Sequence, residues 1–297
     1  MRESTEAALR AAGLDPRAVA GIVENALAED LGPERLDVTS VATIPAGQVD
    51  TAEVVARAEG VVAGLAVAAA VFELASAGTV ELTARVADGD RVVRDDVLAV
   101  ATGPTRALLS AERTALNLLS RMSGVATHTR AWADALAGTK ATVLDTRKTT
   151  PGLRILEKYA VRAGGGTNKR FGLYDVAMIK DNHKLAAGGI APAYRRVRDA
   201  FPRVPIQVEV TTLAEAVEAV EAGADFLLCD NMSVRLLAEV VAAVGDRAEL
   251  EATGGLTLDV AADYAATGVD YLSVGALTHS SPILDIALDL RAPVSGR

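Results

Sequence analysis

Seven stretches from residue 145 onward carry residue types suited to binding anions and moving them. The densest is Asp145-Thr-Arg-Lys-Thr-Thr-Pro151, which follows an apolar run. There Arg147 supplies a planar fork and Lys148 a point charge, the two geometries that suit carboxylates and phosphates. Gly164-Gly165-Gly166 is followed by Asn168, Lys169 and Arg170. Three glycines permit close backbone approach to a ligand, and the spacing is not that of a Walker A loop. Lys180 closes another apolar run, where a lysine forms a Schiff base or holds an anion without covalent chemistry. Glu209 and Asp230 end two further runs. Two converging carboxylates suit Mg²⁺, or balance Lys148 and Lys180 directly. Thr253-Gly254-Gly255 and Val274-Gly275-Ala276 close the last two runs with a hydroxyl and exposed backbone N–H groups, a phosphate cradle. His183 and His279 fall near the same face without metal-ligand spacing, and His128 reads as a packing histidine.

These residues need a scaffold that brings strand ends together. From about residue 141 short apolar β-type runs recur at 141–144, 176–179, 206–210, 226–229, 248–252 and 271–274. Helical patterns at 191–201, 213–222, 234–244 and 258–266 separate the later ones. The last three helices end at Gly223, Gly245 and Gly268, where left-handed caps fit. Strands that are apolar throughout and alternate with helices are expected in a parallel sheet covered on both faces. The polar residues Asp145, Lys180, Glu209, Asp230, Thr253 and Gly275 at successive strand ends favour a βα barrel over an open sheet, because barrel strand ends converge on one face. The first 105 residues read as a small α+β domain. It has helices at 7–27 and 65–75, short strands at 52–58, 80–86 and 97–101, and turns at Asp88-Gly89-Asp90 and Gly103-Pro104. A long helix at 107–136 leads into the repeats.

Composition narrows the function classes. The chain has 297 residues, half of them hydrophobic, with a net charge of −9. That is enough for one large or two ordinary domains. No apolar run approaches the roughly 18–20 residues of a membrane helix. The N-terminus lacks an apolar signal core, and the single Cys229 excludes internal disulfides, so a cytoplasmic location is expected. An acidic chain does not attract nucleic acid or anionic membrane through its overall field. Between Lys140 and Lys184, however, ten cations face four anions, leaving +6 there and −15 elsewhere. Such a run is either a solvated basic face or a well for a polyanionic small molecule.

In order along the chain, these motifs resemble the quinolinate phosphoribosyltransferases. The resemblance spans Glu29-Asp-Leu-Gly32, Asp37-Val-Thr39, Glu59–Gly64, Ala111–Asn117, Thr146–Leu153, Lys158–Val161, Gly164–Arg170, Ile179–His183, Val208–Val210, Asp230–Met232, Gly254-Gly255 and Val274–Ser280. It implies an α/β fold, with an N-terminal α/β sandwich and linker helix over 1–121 and an incomplete βα barrel over 122–282. Residues 283–297 would pack back on the first domain. It implies phosphoribosyl transfer from phosphoribosyl pyrophosphate (PRPP) to quinolinate with loss of CO₂, giving nicotinate mononucleotide for NAD biosynthesis. By the same resemblance Arg113, Thr146, Arg147, Lys169 and Arg170 hold quinolinate, and Arg113 enters the site of a second subunit in a homodimer or higher oligomer. Lys148, Glu209, Asp230 and Lys180 act on PRPP, with Mg²⁺ through Glu209 and Asp230. Thr253, Gly254, Gly255, Val274, Gly275 and Ala276 take the 5′-phosphate. Two positions depart from the family: Lys169 replaces its usual histidine, and Thr253 its usual serine. A paralogue acting on another pyridine carboxylate, and a Schiff-base lyase using Lys180, are the competing readings.

Overall fold

A computed structural model of the chain describes residues 1–291. In chain order the first elements are α1 (Glu3–Ala11), α2 (Pro16–Leu31), α3 (Val38–Thr43), β1 (Val49–Ala56), β2 (Gly60–Val61), α4 (Leu65–Ala75), β3 (Glu81–Ala84), β4 (Arg91–Val92) and β5 (Val97–Pro104). The helix α5 (Thr105–Ala135) follows, then β6 (Thr142–Leu144), α6 (Arg154–Ala163), β7 (Ala177–Ile179), α7 (Asp181–Ala187) and α8 (Ile190–Ala200). The remainder is β8 (Ile206–Val210), α9 (Leu213–Glu221), β9 (Phe226–Asp230), α10 (Val234–Val244), β10 (Glu249–Thr253), a 3₁₀ turn at Leu258–Val260, α11 (Ala261–Ala266), β11 (Tyr271–Ser273), α12 (Ala276–His279) and β12 (Ile286–Leu290). Two compact units result. One holds residues 1–128, 150–165 and those from Ser281 on; the other holds 129–149 and 166–280.

In the first unit β12, β1, β5 and β3 form an antiparallel sheet, and β2 pairs with β4. The helix α4 is apolar around almost its whole circumference, as LAVAAAVFELA demands, and is correspondingly buried. Its Leu65 and Ala68 pack with Val54, Leu98, Leu116, Leu119 and Ile286 in one core. Inside α4, buried Glu73 is satisfied by Thr5 Oγ1 at 2.5 Å and the Arg2 backbone N–H at 2.8 Å. The single helix expected at 7–27 is two helices. Gly13 turns at φ +72°, and Asp15 caps α2 by accepting from Arg17 N, with Pro16 in the first turn. Gly103-Pro104, expected as a turn, lies inside β5, where Gly103 pairs with Asp50. The sequence assigned 150–165 to the barrel domain. By compactness α6 groups with the first unit, where its buried Glu157 accepts from the Arg121 guanidinium of α5. Of the terminal segment, β12 pairs with β1, and residues 292–297 lie outside the described residues.

The second unit is a six-stranded sheet in the order β6-β11-β10-β9-β8-β7, parallel throughout. Its first two strands in sequence occupy opposite edges, so the sheet has the strand order of a barrel left open between them. Thr167 adds a single parallel bridge to Leu144 on one edge. The helices return the chain between strands, and β8 is buried at all five positions, as expected for a strand covered on both faces. Thr212 and Ser233 cap α9 and α10 by accepting from the N–H groups of Glu215 and Leu236, turning the chain sharply after β8 and β9. Gly223 and Gly268 adopt the expected positive φ; Gly245 does not, ending α10 in right-handed geometry at φ −68°. Cys229 of β9 is 1% exposed, and burial, reinforced by the Glu251 charge, pushes its thiol up to about 12.

Candidate active site

Strand direction in the second unit gathers the polar strand ends around one cavity of about 730 Å³. Thr146, Arg147 and Lys148 follow β6; Lys169 and Arg170 come from the glycine-rich loop; Lys180 follows β7; Asp230 ends β9. Thr253 ends β10, Gly254 and Gly255 follow it into the cavity, and Val274 and Gly275 connect β11 to Ala276 at the start of α12 there. Five of the ten cations between Lys140 and Lys184 therefore face one space, while others serve elsewhere. Lys140 pairs with Asp270, Arg162 donates to the Ala12 carbonyl, and Lys184 pairs with Glu215.

The two cationic loops are held by short side-chain bonds rather than by regular structure. Asp145, fully buried, accepts from Asn168 Nδ2 and from the Lys169 backbone N–H, each at 2.7 Å. It thus ties the glycine-rich loop to the end of β6. Asp175 accepts from the Phe171 and Gly172 N–H groups at 2.6 and 3.0 Å, fixing the turn after Arg170. Burial raises its carboxyl, but the backbone N–H donors outweigh that and hold it below the ordinary value. Thr146 Oγ1 accepts from the Lys148 N–H, and Thr278 Oγ1 donates to the Lys148 carbonyl.

The cradle at the ends of β10 and β11 requires glycine. Gly254 has φ +98°, and a Cβ there would fall 2.2 Å from Asn231 Oδ1. At Gly275 a Cβ would sit 2.9 Å from the Lys148 side chain, so this glycine lets the lysine stem pass.

The charges are partly matched. Lys180 Nζ lies 3.0 Å from Glu209 Oε2. Glu209 is 7% exposed and stands behind Lys180 rather than on the cavity wall. Lys169 Nζ lies 2.5 Å from Glu251 Oε1, and Gln207 Nε2 donates to Glu251 Oε2 at 2.6 Å. Arg170 donates to the Val176 carbonyl at 3.1 Å. Among the described residues, the buried Arg147 Nε and Ser273 Oγ have no hydrogen-bond partner, and both residues line the cavity. Unsatisfied buried polar atoms on a cationic wall mark a place where an anionic ligand completes the hydrogen bonding. Arg113, on α5 in the first unit, is exposed, with a 3.9 Å contact to Glu112.

Comparison with known proteins bears directly on this site. The sequence model for the quinolinate phosphoribosyl transferase N-terminal domain matches residues 37–123, and that for the C-terminal domain matches residues 125–289. The chain belongs to the quinolinate phosphoribosyltransferase family. A nicotinate-nucleotide pyrophosphorylase [carboxylating] from Mycobacterium leprae is 49% identical over 90% of this chain and 95% of its own. A probable enzyme of the same name from Bacillus subtilis is 46% identical over 80% of this chain and 83% of its own. The solved nicotinate-nucleotide pyrophosphorylase from Francisella tularensis superposes with a TM-score of 0.89 at 34% identity, covering 93% of this chain and 96% of that one.

For a member of this family, the cavity contains residues that sequence reasoning left outside the site. Asn231, with φ +52° and its N–H on the Thr253 carbonyl, lines the wall beside Asp230, as do Ser273 and His279. Asn231 was detectable as the residue after a strand-ending aspartate. Ser273 lies inside an apolar strand, and no local signal distinguishes it. His183 turns away to a local task, accepting the Lys180 N–H at 3.0 Å as α7 begins. His128 packs as expected, half-buried against Ser281 Oγ at 2.9 Å, and burial lowers its pKa. The departure at Lys169 falls on the cavity wall.

Proposed function

We propose that the chain transfers the phosphoribosyl group of PRPP to quinolinate, with release of pyrophosphate and CO₂, and that the cavity of the second unit is where this occurs. The observation that carries the reading is the convergence of Arg147, Lys148, Lys169, Arg170 and Lys180 with Asp230 and a glycine cradle on one space. Quinolinate is a dianion, and Arg147, Lys169 and Arg170 supply charged donors for its carboxylates, with the neutral Thr146 hydroxyl beside them. The Thr253–Gly255 and Val274–Ala276 backbone receives the 5′-phosphate, leaving Lys148 and Lys180 for the diphosphate.

The chemistry then needs charge placement more than proton transfer. The pyridine nitrogen lone pair forms a bond to ribose C1 as the C1–O bond to pyrophosphate breaks. Positive charge develops at the ribose, and Asp230 on the cavity wall favours it, with Glu209 acting from behind Lys180, while Lys148 and Lys180 neutralise the leaving diphosphate. The ring nitrogen is now cationic. That cation stabilises the electron pair left at the neighbouring carbon when the C–CO₂ bond breaks, and the carbon takes a proton. Among the described residues no three His, Cys, Asp or Glu side chains converge to cage a metal. The Asp230 carboxylate on the cavity wall nonetheless suits Mg²⁺, which binds through one or two carboxylates together with water and substrate phosphates. Glu209, paired with Lys180 behind the wall, would act on the ion only indirectly. The ion would supply charge neutralisation of the diphosphate.

The reading includes a homodimer in which the exposed Arg113 of one copy completes the site of the other, and a cytoplasmic location. No helix among the described residues is long and apolar enough to cross a membrane. Incubation with PRPP, Mg²⁺ and quinolinate is expected to yield CO₂ and nicotinate mononucleotide. Product from a different pyridine acid, with none from quinolinate, overturns the acceptor. Mixing inactive Arg113→Ala and Lys148→Ala subunits is expected to restore part of the activity. Heterodimers that form yet stay inactive overturn the shared site.

A further inference from the structure

Glu251 lies in the middle of β10, two residues before Thr253, so both side chains face the same side of the sheet. It is 0% exposed. Both carboxylate oxygens are engaged: Lys169 Nζ is on Oε1 at 2.5 Å, and Gln207 Nε2 of β8 is on Oε2 at 2.6 Å. Gln207, also fully buried, stands two residues before Glu209 on β8, beneath the pair that Glu209 makes with Lys180. Glu251 thus sits one layer below the cavity, clamped from one side, with its other oxygen on a cation that lines the cavity.

We propose that Glu251 is the positioning residue for Lys169, fixing its ammonium on the cavity wall and so setting how tightly the site takes the anionic acceptor. This rests on the assignment of quinolinate as acceptor. A lysine stem has four rotatable carbons and no planar fork, so a bound geometry must come from a fixed counter-charge. Glu251 is that counter-charge, and Gln207 keeps it from swinging. Glu251 also opposes discharge of the amine. Burial lowers the Lys169 pKa, and the Arg170 and Lys180 charges lower it further, while Glu251 acts against all three. Without Glu251 the amine would lose this counter-charge while the Arg170 and Lys180 charges still act on it.

The test is steady-state kinetics of the full chain with Glu251→Gln, Lys169→Gln and the double variant, varying quinolinate and PRPP separately. Glu251→Gln is expected to raise the quinolinate KM about tenfold or more and leave the PRPP KM within about twofold. In the Lys169→Gln background, replacing Glu251 is expected to raise the quinolinate KM no further, since its effect passes through that lysine. An unmoved quinolinate KM overturns the proposal, as does a PRPP KM that rises in step or a double variant whose losses add. If Glu251→Gln does not fold, Glu251→Asp, which keeps the charge, carries the same cycle with a smaller shift. Turnover by the unmodified chain separates failure here from failure of the quinolinate assignment; no product from that chain defeats both.

Discussion

Each unit holds a fully buried glutamate paired with a cation, and the two pairs behave differently. In the first unit Glu157 accepts from Arg121 Nε and Nη2 at 3.1 and 2.7 Å, and from Thr150 N and Oγ1 at 3.0 and 2.7 Å. Arg121 also donates to the Ser281 carbonyl. Five hydrogen bonds thereby join α5, α6 and two loops of one unit. In the second unit Glu251 holds Lys169 and Gln207, and Lys169 borders an open cavity. Burial and ion pairing are common to both. What separates a brace from a site is whether the cation also faces space that a ligand can enter.

That contrast can be broken by experiment. The largest effect is expected from Glu157→Gln, which removes the buried charge facing the part-buried Arg121 guanidinium. A loss of about 3 kcal/mol in unfolding free energy is expected, read by denaturant titration, with both KM values unchanged. A shift in the quinolinate KM without loss of stability would erase the distinction between the two glutamates. A middle effect is expected from Gly254→Ala, which combines a φ of +98° with a clash against Asn231. The PRPP KM should rise about tenfold while the quinolinate KM stays near its original value, because the cradle and the carboxylate clamps are separate. Equal rises in both would show that the two ends of the cavity act as one. The smallest effect is expected from Arg57→Ala in the first unit. Arg57 meets Asp289 at 2.6 Å, but both are substantially exposed, and the change should be below about 1 kcal/mol. A loss as large as that of Glu157→Gln would mean that burial is not what gives the inner pair its weight.

Much of the scaffold was legible because periodicity and caps are local. The runs at 206–210 and 234–244 and the helix at 65–75 lie where the pattern put them. Local pattern failed where distant residues decide. Strand β12 pairs with β1 across more than two hundred residues, and nothing in Ile286–Leu290 alone names that partner. The split of the first helix turned on Asp15-Pro16, a start signal hidden within a stretch of good helix formers. In the site, the clustered cations and glycines were visible as types. Their pairings were not, because Lys169 and Glu251 are 82 positions apart and meet only once the sheet has formed. Glu209 looked like a wall residue from its strand position, and Lys180 stands in front of it.

Cys229 has a use unrelated to the reaction. It is the only cysteine in the chain, it is sealed within β9, and its thiol is pushed up to about 12. Thiol reagents attack the thiolate, so at neutral pH the native protein presents almost none to them. The natural sequence is therefore a ready background for site-directed labelling. A fluorophore or spin label on one introduced surface cysteine, near Leu173 or Leu185 for example, would report on that position alone, without first removing a native thiol.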